Sequence, residues 1–414
     1  MSDDPFAPMT DFGPVPEGWV WGTATAAHQV EGGNVNTDWW EFEHDPDSAA
    51  VESSGDACDS WHRWREDIEL VKGLGLDSYR FSIEWARIEP APGEYSIAAL
   101  DHYREMLEAC REAGLKTCVT FHHFTTPLWM AERGGWANPE IVERFARYCE
   151  VAVKHLGDLI DLACTLNEPN MVALVGYWYG EFPPGHVDDF EGFEAATTNL
   201  VAAHHAARTV LKAGPGDFPV GLTHALFDFV FHADDQWDGP TLTIDEIPPE
   251  SDLARYAWGV VTAYLDAAKE DDFVGVQTYF TEHVGLDGQK TPRPPGVRET
   301  AIGWLFMPEA IGKTCRWAAE YTSKPVIVTE NGIATDDDDE RIEYYSKALA
   351  AVREALDDGV DIRGYFAWSL MDNFEWAKGY SMKFGLYSVD RTTFVRTPKP
   401  SADFFRQIVA SSRG

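Results

Sequence analysis

Two glutamates carry the strongest chemical signal in the chain: Glu168, in Asn167-Glu168-Pro169, and Glu330, in Thr329-Glu330-Asn331-Gly332. Each follows directly on a short apolar run. A glutamate so placed can be half of a structural ion pair, but two of them can also divide the acid and nucleophile roles in cleavage of a glycosidic bond. Their company favours the second reading. Similar apolar runs end in Arg80-Phe81-Ser82, His122-His123-Phe124, Gln277-Thr278-Tyr279, and Trp368-Ser369 followed by Asp372-Asn373-Phe374-Glu375-Trp376. Aromatic faces suit the apolar faces of a pyranose, while amides and carboxylates take its hydroxyls.

These side chains can converge only if the runs that carry them are held side by side. The β-rich runs are Val20–Ala24, Ser78–Ile83, Thr117–His122, Leu162–Leu166, Val220–His224, Phe273–Tyr279, Val326–Thr329 and Gly364–Trp368. Amphipathic stretches separate them: Ser60–Lys72, Ala98–Ala113, Pro139–Leu156, Phe190–Lys212, Asp252–Ala268, Ala301–Tyr321, Glu340–Ala355 and, last, Ser401–Ala410. Strand then helix, eight times, predicts an α/β fold, a single (β/α)8 TIM barrel. The near-continuous apolar character of the strands fits a parallel sheet covered by helices. No linker-like segment or repeat divides the chain, so residues 1–414 are expected to form one catalytic barrel. The longest strand-to-helix connections are expected after the first, fourth, sixth and seventh strands, on the face where barrels carry their sites. The acidic run Asp336–Glu340 reads as a solvated loop entering a helix N-terminus, where negative charge is favourable; a calcium site is the rival reading.

Composition excludes several classes. Of 414 residues, 44% are hydrophobic, so a large core can form; 69 Asp and Glu against 33 Lys and Arg leave a net charge of −36. Such a surface repels nucleic acid and anionic lipid, which argues against either as a partner. With only 12 Lys, the balance also points to salt adaptation. The stretch MSDDPFAPMTDFGPVPEGW has no basic region or apolar segment of the kind a secretory signal needs, and no stretch approaches a membrane span, so a cytoplasmic protein is expected. The six cysteines form no CxxC pair and suit reduced, buried thiols. There is no HExxH, GxSxG, P-loop or GxGxxG signature. His122 and His123 are adjacent on a strand and face opposite ways, so they cannot share a metal. His204-His205 reads as a helix-surface pair. No metal and no cofactor are expected.

The chain resembles glycoside hydrolase family 1, the β-glucosidase and β-galactosidase family. The two glutamate motifs carry the resemblance, together with Gly22-Thr23-Ala24-Thr25-Ala26, Gln29-Val30-Glu31-Gly32, Tyr79-Arg80-Phe81-Ser82-Ile83, Trp85-Ala86-Arg87-Ile88, Trp368 to Trp376 and Phe384-Gly385-Leu386, in family order over nearly the whole chain. It implies a retaining exo-β-glycosidase acting by double displacement on terminal β-D-glucosides, and on β-D-galactosides or fucosides, with small-molecule β-glycosides as its partners. By position it implies Glu168 as general acid/base and Glu330 as nucleophile, with Arg80 and Tyr279 holding the nucleophile. Asn167 falls near the sugar 2-hydroxyl, Gln29 and His123 near the 3-hydroxyl, Glu375 and Trp376 on the far side of the ring, and Trp368 beneath it. Phe384 belongs to the same substrate-binding set. Two positions depart from the family pattern. Phe124 stands where a tryptophan is common, losing an indole donor, and Gln277 where an asparagine is common. Both affect pocket shape and neither touches the proton chemistry. A 6-phospho-β-glycosidase of the same fold and an inactive sugar-binding barrel are the alternatives, and a homo-oligomer is compatible with the sequence.

Overall fold

The computed structural model describes residues 7–413; the first six residues of the stretch MSDDPFAPMTDFGPVPEGW lie outside it. Eight parallel strands close a barrel: β1 Val20–Ala24, β2 Ser78–Ser82, β3 Lys116–Thr120, β4 Leu162–Asn167, β5 Val220–Ala225, β6 Val274–Gln277, β7 Val326–Asn331 and β8 Ile362–Trp368. Closure is made by β1 against β8, with Val20 opposite Gly364 and Ala24 opposite Trp368. Except for Lys116 and Arg363, every strand residue is buried, as expected for strands walled by helices outside and side chains inside. One end of the barrel is plugged by Val20, Cys118, Leu162, Cys164, Phe273, Ile327 and Phe366. The plug forces close approaches. A Cβ on Gly22 would lie 2.3 Å from the Phe366 ring, so no larger residue fits there without displacing that ring.

The covering helices fall largely where the 3.6-residue pattern places them, including Glu140–Leu156, Phe190–Ala213 and Pro400–Ser411. The acidic run behaves as expected: Asp337 caps the helix Asp338–Asp357, whose first turn carries Asp338, Asp339 and Glu340. Three expectations about the helices and connections fail. The stretch expected to be helical from Ala301 is helical only over Ala310–Thr322, because Gly303 adopts φ +85° and Pro308 interrupts the pattern. Residues 252–268 are interrupted by a π-helical segment, Trp258–Thr262. The connection after β7 is short, 332–337, whereas the long one, 369–399, follows β8. A small sheet of Asp228–His232, Thr241–Leu242 and Thr281–Val284 extends the loops after β5 and β6.

All six cysteines are buried and unbridged. His204 is not a surface residue: it is 1% exposed, meets Thr165 Oγ1 at 2.7 Å and faces Asp271 at 3.1 Å. Among the described residues, no helix is long and apolar enough to cross a membrane, and no group of three or more His, Cys, Asp or Glu is arranged to hold a metal ion.

Candidate active site

The inner end of the site is built around one fully buried guanidinium. Arg80, in mid β2, sits in register with Ala24 and Cys118 on the neighbouring strands. Its side chain rises inside the barrel, where Nη1 meets Glu330 Oε1 at 2.5 Å and Nη2 meets Asn167 Oδ1 at 2.5 Å. One arginine thus joins the ends of β4 and β7, three strands apart. Tyr279, two residues past β6, donates its hydroxyl to the other Glu330 oxygen at 2.7 Å. Gln277 Nε2 and Thr223 Oγ1 also donate to Asn167 Oδ1, at 2.9 and 3.0 Å. With its oxygen so occupied, Asn167 turns its NH2 toward His123 Nε2, 3.1 Å away. Because an amide NH2 only donates, Nε2 is the acceptor and the His123 proton sits on Nδ1.

Glu168 is held differently. It leaves β4 with φ +42°, a left-handed conformation that a non-glycine residue keeps only when its surroundings impose it. The constraint comes from both sides. Its N–H donates to Thr223 O at 2.8 Å, and Pro169 immediately starts the helical turn Pro169–Ala173. Its carboxyl group has no side-chain hydrogen bond among the described residues. Gly332 completes the β7 end: a Cβ there would lie 2.0 Å from Trp368 O, so only glycine lets the chain pass β8 at this point.

Three carboxyl groups share this interior with one guanidinium, and their protons follow from that imbalance. Burial pushes Glu168 well above the usual carboxylate range, and the neighbouring Glu330 and Glu375 push it further. Burial raises Glu330 as well, but Arg80, Tyr279 and Gln277 all pull it back. Glu330 therefore holds three partners and Glu168 none, so a proton shared between them resides on Glu168. Glu375 is pushed up to about 8 by burial and then by Glu330, against the pull of its hydrogen bond from Gln29. Burial first, then Arg80 and His122, drives His123 well below its ordinary value and keeps it neutral.

Aromatic rings wall the space. His123 lies nearly parallel to Trp368 (5.8 Å between centroids) and to Trp376 (6.1 Å), while Phe384 meets Tyr279 edge-on at 6.0 Å. An inner chamber of about 90 Å³ is lined by Glu168, Glu330 and Glu375 with His123, Asn167, Tyr279 and these rings. It adjoins an outer chamber of about 660 Å³ across Phe182, Trp304 and Trp376, which border both.

Of the residues singled out in the sequence, Glu168, Glu330, Tyr279, His123, Phe124, Asn167, Trp368, Glu375, Trp376 and Phe384 border the inner chamber. Arg80, Gln29 and Gln277 do not. They stand one layer behind it, Gln277 against Asn167 and Gln29 against Glu375. The main omission is Trp304. It lies in the stretch whose pattern predicts helix, and it reaches Tyr279 at 5.3 Å and stacks on Phe280 at 4.9 Å. Gly303 and Pro308, on either side of it, were the available signal. Phe227 and Phe182 also line the chamber and lie beyond strand-end motifs, where nothing in the sequence marks them.

The sequence model of glycosyl hydrolase family 1 matches residues 12–231 and 259–413. β-Glucosidase A of Thermotoga maritima is 34% identical over 96% of this chain and 98% of its own length. A bifunctional β-D-glucosidase/β-D-fucosidase of Bifidobacterium breve is 34% identical over 95% and 98%. Among solved structures, the β-glycosidase BGL167 superposes with a TM-score of 0.85 at 44% identity, covering 97% of this chain and 98% of that one. The Thermotoga maritima β-glucosidase in complex with deoxynojirimycin superposes with a TM-score of 0.84 at 31% identity, covering 97% and 99%.

Proposed function

The chain belongs to glycosyl hydrolase family 1, and from that premise we propose that it is a retaining exo-β-glycosidase whose whole length serves one catalytic barrel, with terminal β-D-glucosides as substrates and β-D-galactosides and fucosides as further ones. The observation that carries the mechanistic part is the unequal treatment of two carboxyl groups in one buried chamber. Glu330, clamped by Arg80 and Tyr279, is the group kept ionised and aimed. Glu168, unclamped and desolvated, is the group kept protonated. In the first step Glu330 attacks the anomeric carbon, forming a glycosyl-enzyme, while Glu168 protonates the leaving oxygen. In the second, Glu168 has become a base and draws a proton from water that attacks the same carbon. Two inversions leave the configuration retained. The rings of Trp368, Trp376 and His123 order the sugar, and no step calls for a cofactor.

Hydrolysis of 4-nitrophenyl β-D-glucoside followed by proton NMR tests this reading. The sugar released first is expected to be the β-anomer, with the α-anomer appearing later by mutarotation; α-anomer at the earliest time points would mean inversion and a different pairing of roles. A matched set of aryl β-glucoside, β-galactoside and β-fucoside then ranks the glycones.

We also read the charge balance as adaptation to a salt-rich cytoplasm. A net charge of −36 with 12 Lys lies far beyond the magnitude of ~2–8 that keeps a small domain soluble. At low ionic strength these charges repel one another across the surface, whereas at 1 M salt the screening length shrinks to ~3 Å and most of that repulsion disappears. The melting temperature and the rate are both expected to rise from low salt to molar KCl. Flat or falling curves would leave an ordinary acidic enzyme.

A further inference from the structure

The helical turn Ala27–Val30 sets two neighbouring side chains against two neighbouring residues of the loop after β8. Gln29 Nε2 donates to Glu375 Oε2 at 3.3 Å and to Phe374 O at 2.8 Å. Beside it, the His28 imidazole lies parallel to the Trp376 indole, at an interplanar angle of 6° and 5.6 Å between centroids. His28 does not border the sugar chamber. Its ring is fixed from behind: Nε2 is 3.2 Å from Glu43 Oε2, and Asn34 Nδ2 is 3.2 Å from Nδ1. The side chains of His28 and Glu43 are both fully buried. Asn34 can only donate from its amide nitrogen, so Nδ1 accepts and the His28 proton lies on Nε2, facing the Glu43 carboxyl group. Each partner is anchored in turn, Glu43 by the Ser54 hydroxyl at 2.6 Å and Asn34 by Glu84 at 2.8 Å.

Trp376 requires such support. Its φ of +48° is one that a bulky residue keeps only when packing over-determines it. The packing comes from His28 and from Trp39 and Phe124, whose ring centroids lie 4.7 and 5.0 Å away. Of these, His28 alone covers the indole in parallel from outside the chamber and is itself locked by hydrogen bonds. His28 and Gln29 therefore grip Trp376 and Glu375 as a unit.

We propose that His28, locked by Glu43, is a specificity-determining positioning residue that sets Trp376 and Glu375 against the far side of the bound sugar. The inference rests on the glycosidase reading above and on the place that the family resemblance gives those two residues, on the far side of the ring. The test compares kcat and KM of the full-length enzyme on 4-nitrophenyl β-D-glucoside and on the β-D-xyloside, which lacks the exocyclic CH2OH group. His28→Phe keeps a ring on Trp376 and removes both hydrogen bonds. Glu43→Gln keeps the volume and an acceptor for Nε2. The glucoside-to-xyloside ratio of kcat/KM is expected to fall about tenfold in His28→Phe, and by a smaller factor in the conservative Glu43→Gln, because a misplaced binding group costs most on the substrate that also offers it the exocyclic hydroxyl. Equal losses on both substrates, which general structural damage would produce, overturn the proposal, as does an unchanged ratio. Should His28→Phe not fold, the Glu43→Gln ratio decides alone, and an unchanged value overturns the proposal. Failure of the underlying reading looks different: the wild-type enzyme would then turn over neither substrate.

Discussion

Replacing Glu330 by alanine is expected to lower kcat on aryl β-glucosides by roughly four to six orders of magnitude, the scale seen when a covalent nucleophile is removed. Neither of the other two carboxyl groups bordering the chamber is placed to substitute, since Glu168 and Glu375 both lack the Arg80 and Tyr279 contacts that keep a carboxylate ionised and directed. Glu168→Ala should behave differently. Loss of a general acid costs about 10² to 10⁴ where the leaving group needs a proton, and far less for an activated phenolate that departs without one. Azide separates the two roles by stereochemistry. In Glu168→Ala the glycosyl-enzyme still forms and azide takes the place of water, giving the β-glycosyl azide. In Glu330→Ala azide enters the space of the missing carboxylate and gives the α-anomer. The same anomer from both variants would contradict the assignment. The pH profile provides a second readout. Glu168 acts as an acid only while protonated, and burial with two neighbouring carboxylates raises its pKa, so activity falls as pH rises through that value. This alkaline limb should vanish in Glu168→Ala.

What made these residues legible was contrast. A glutamate that follows Leu162-Ala163-Cys164-Thr165-Leu166 or Val326-Ile327-Val328-Thr329 stands out because strand interiors tolerate no unpaired charge, and the barrel sends every strand end to one face. The period of the pattern located the strands to within one or two residues at most ends. Depth within the barrel was not legible. Gln277 and Glu330 stand opposite each other on β6 and β7, yet one borders the chamber and the other lies behind it, a difference set by the register shift between Val328 and Glu330. Loop conformation was equally hidden. Ala301 to Met307 is apolar enough to pass for helix, and only backbone torsions at Gly303 bring Trp304 over Tyr279. The strand Asp228–His232 pairs with Thr281–Val284 some fifty residues away, a partnership no local pattern encodes. His28 carries no signal in the sequence for a related reason: its significance lies in the partners Glu43, Asn34 and Trp376, brought together from three segments.

The charge inventory of the inner chamber leads to a second large effect: 6-phospho-β-glycosides should be rejected by at least three orders of magnitude in kcat/KM relative to their unphosphorylated counterparts, since an uncompensated desolvated charge in a binding site costs several kcal/mol and each 1.4 kcal/mol is a factor of ten. In the proposed placement of the sugar, with Glu375 and Trp376 on its far side, a phosphate on the outer hydroxyl would lie against those two residues. None of the described residues bordering the chamber is a lysine or arginine. Arg80 is committed to Glu330 and Asn167, and His123 is held neutral, so neither can serve as a counter-ion. The three cations of the outer chamber are already paired, Lys290 with Glu282 at 2.7 Å, Arg293 with Glu299 at 3.1 Å and Lys378 with Glu181 at 3.1 Å. Glu375 itself is pushed up to about 8, by burial first and then by the nearby Glu330. A dianion beside it would raise that value further, and even a fully protonated Glu375 offers one hydrogen bond where a phosphate needs compensating charge. Replacing Glu375 by glutamine should therefore improve phosphoglycoside turnover only slightly while it weakens binding of the free sugar. Comparable kcat/KM on the two substrate types in the wild-type enzyme would show that the outer hydroxyl points away from Glu375, and the placement of the sugar in this chamber would have to be turned round.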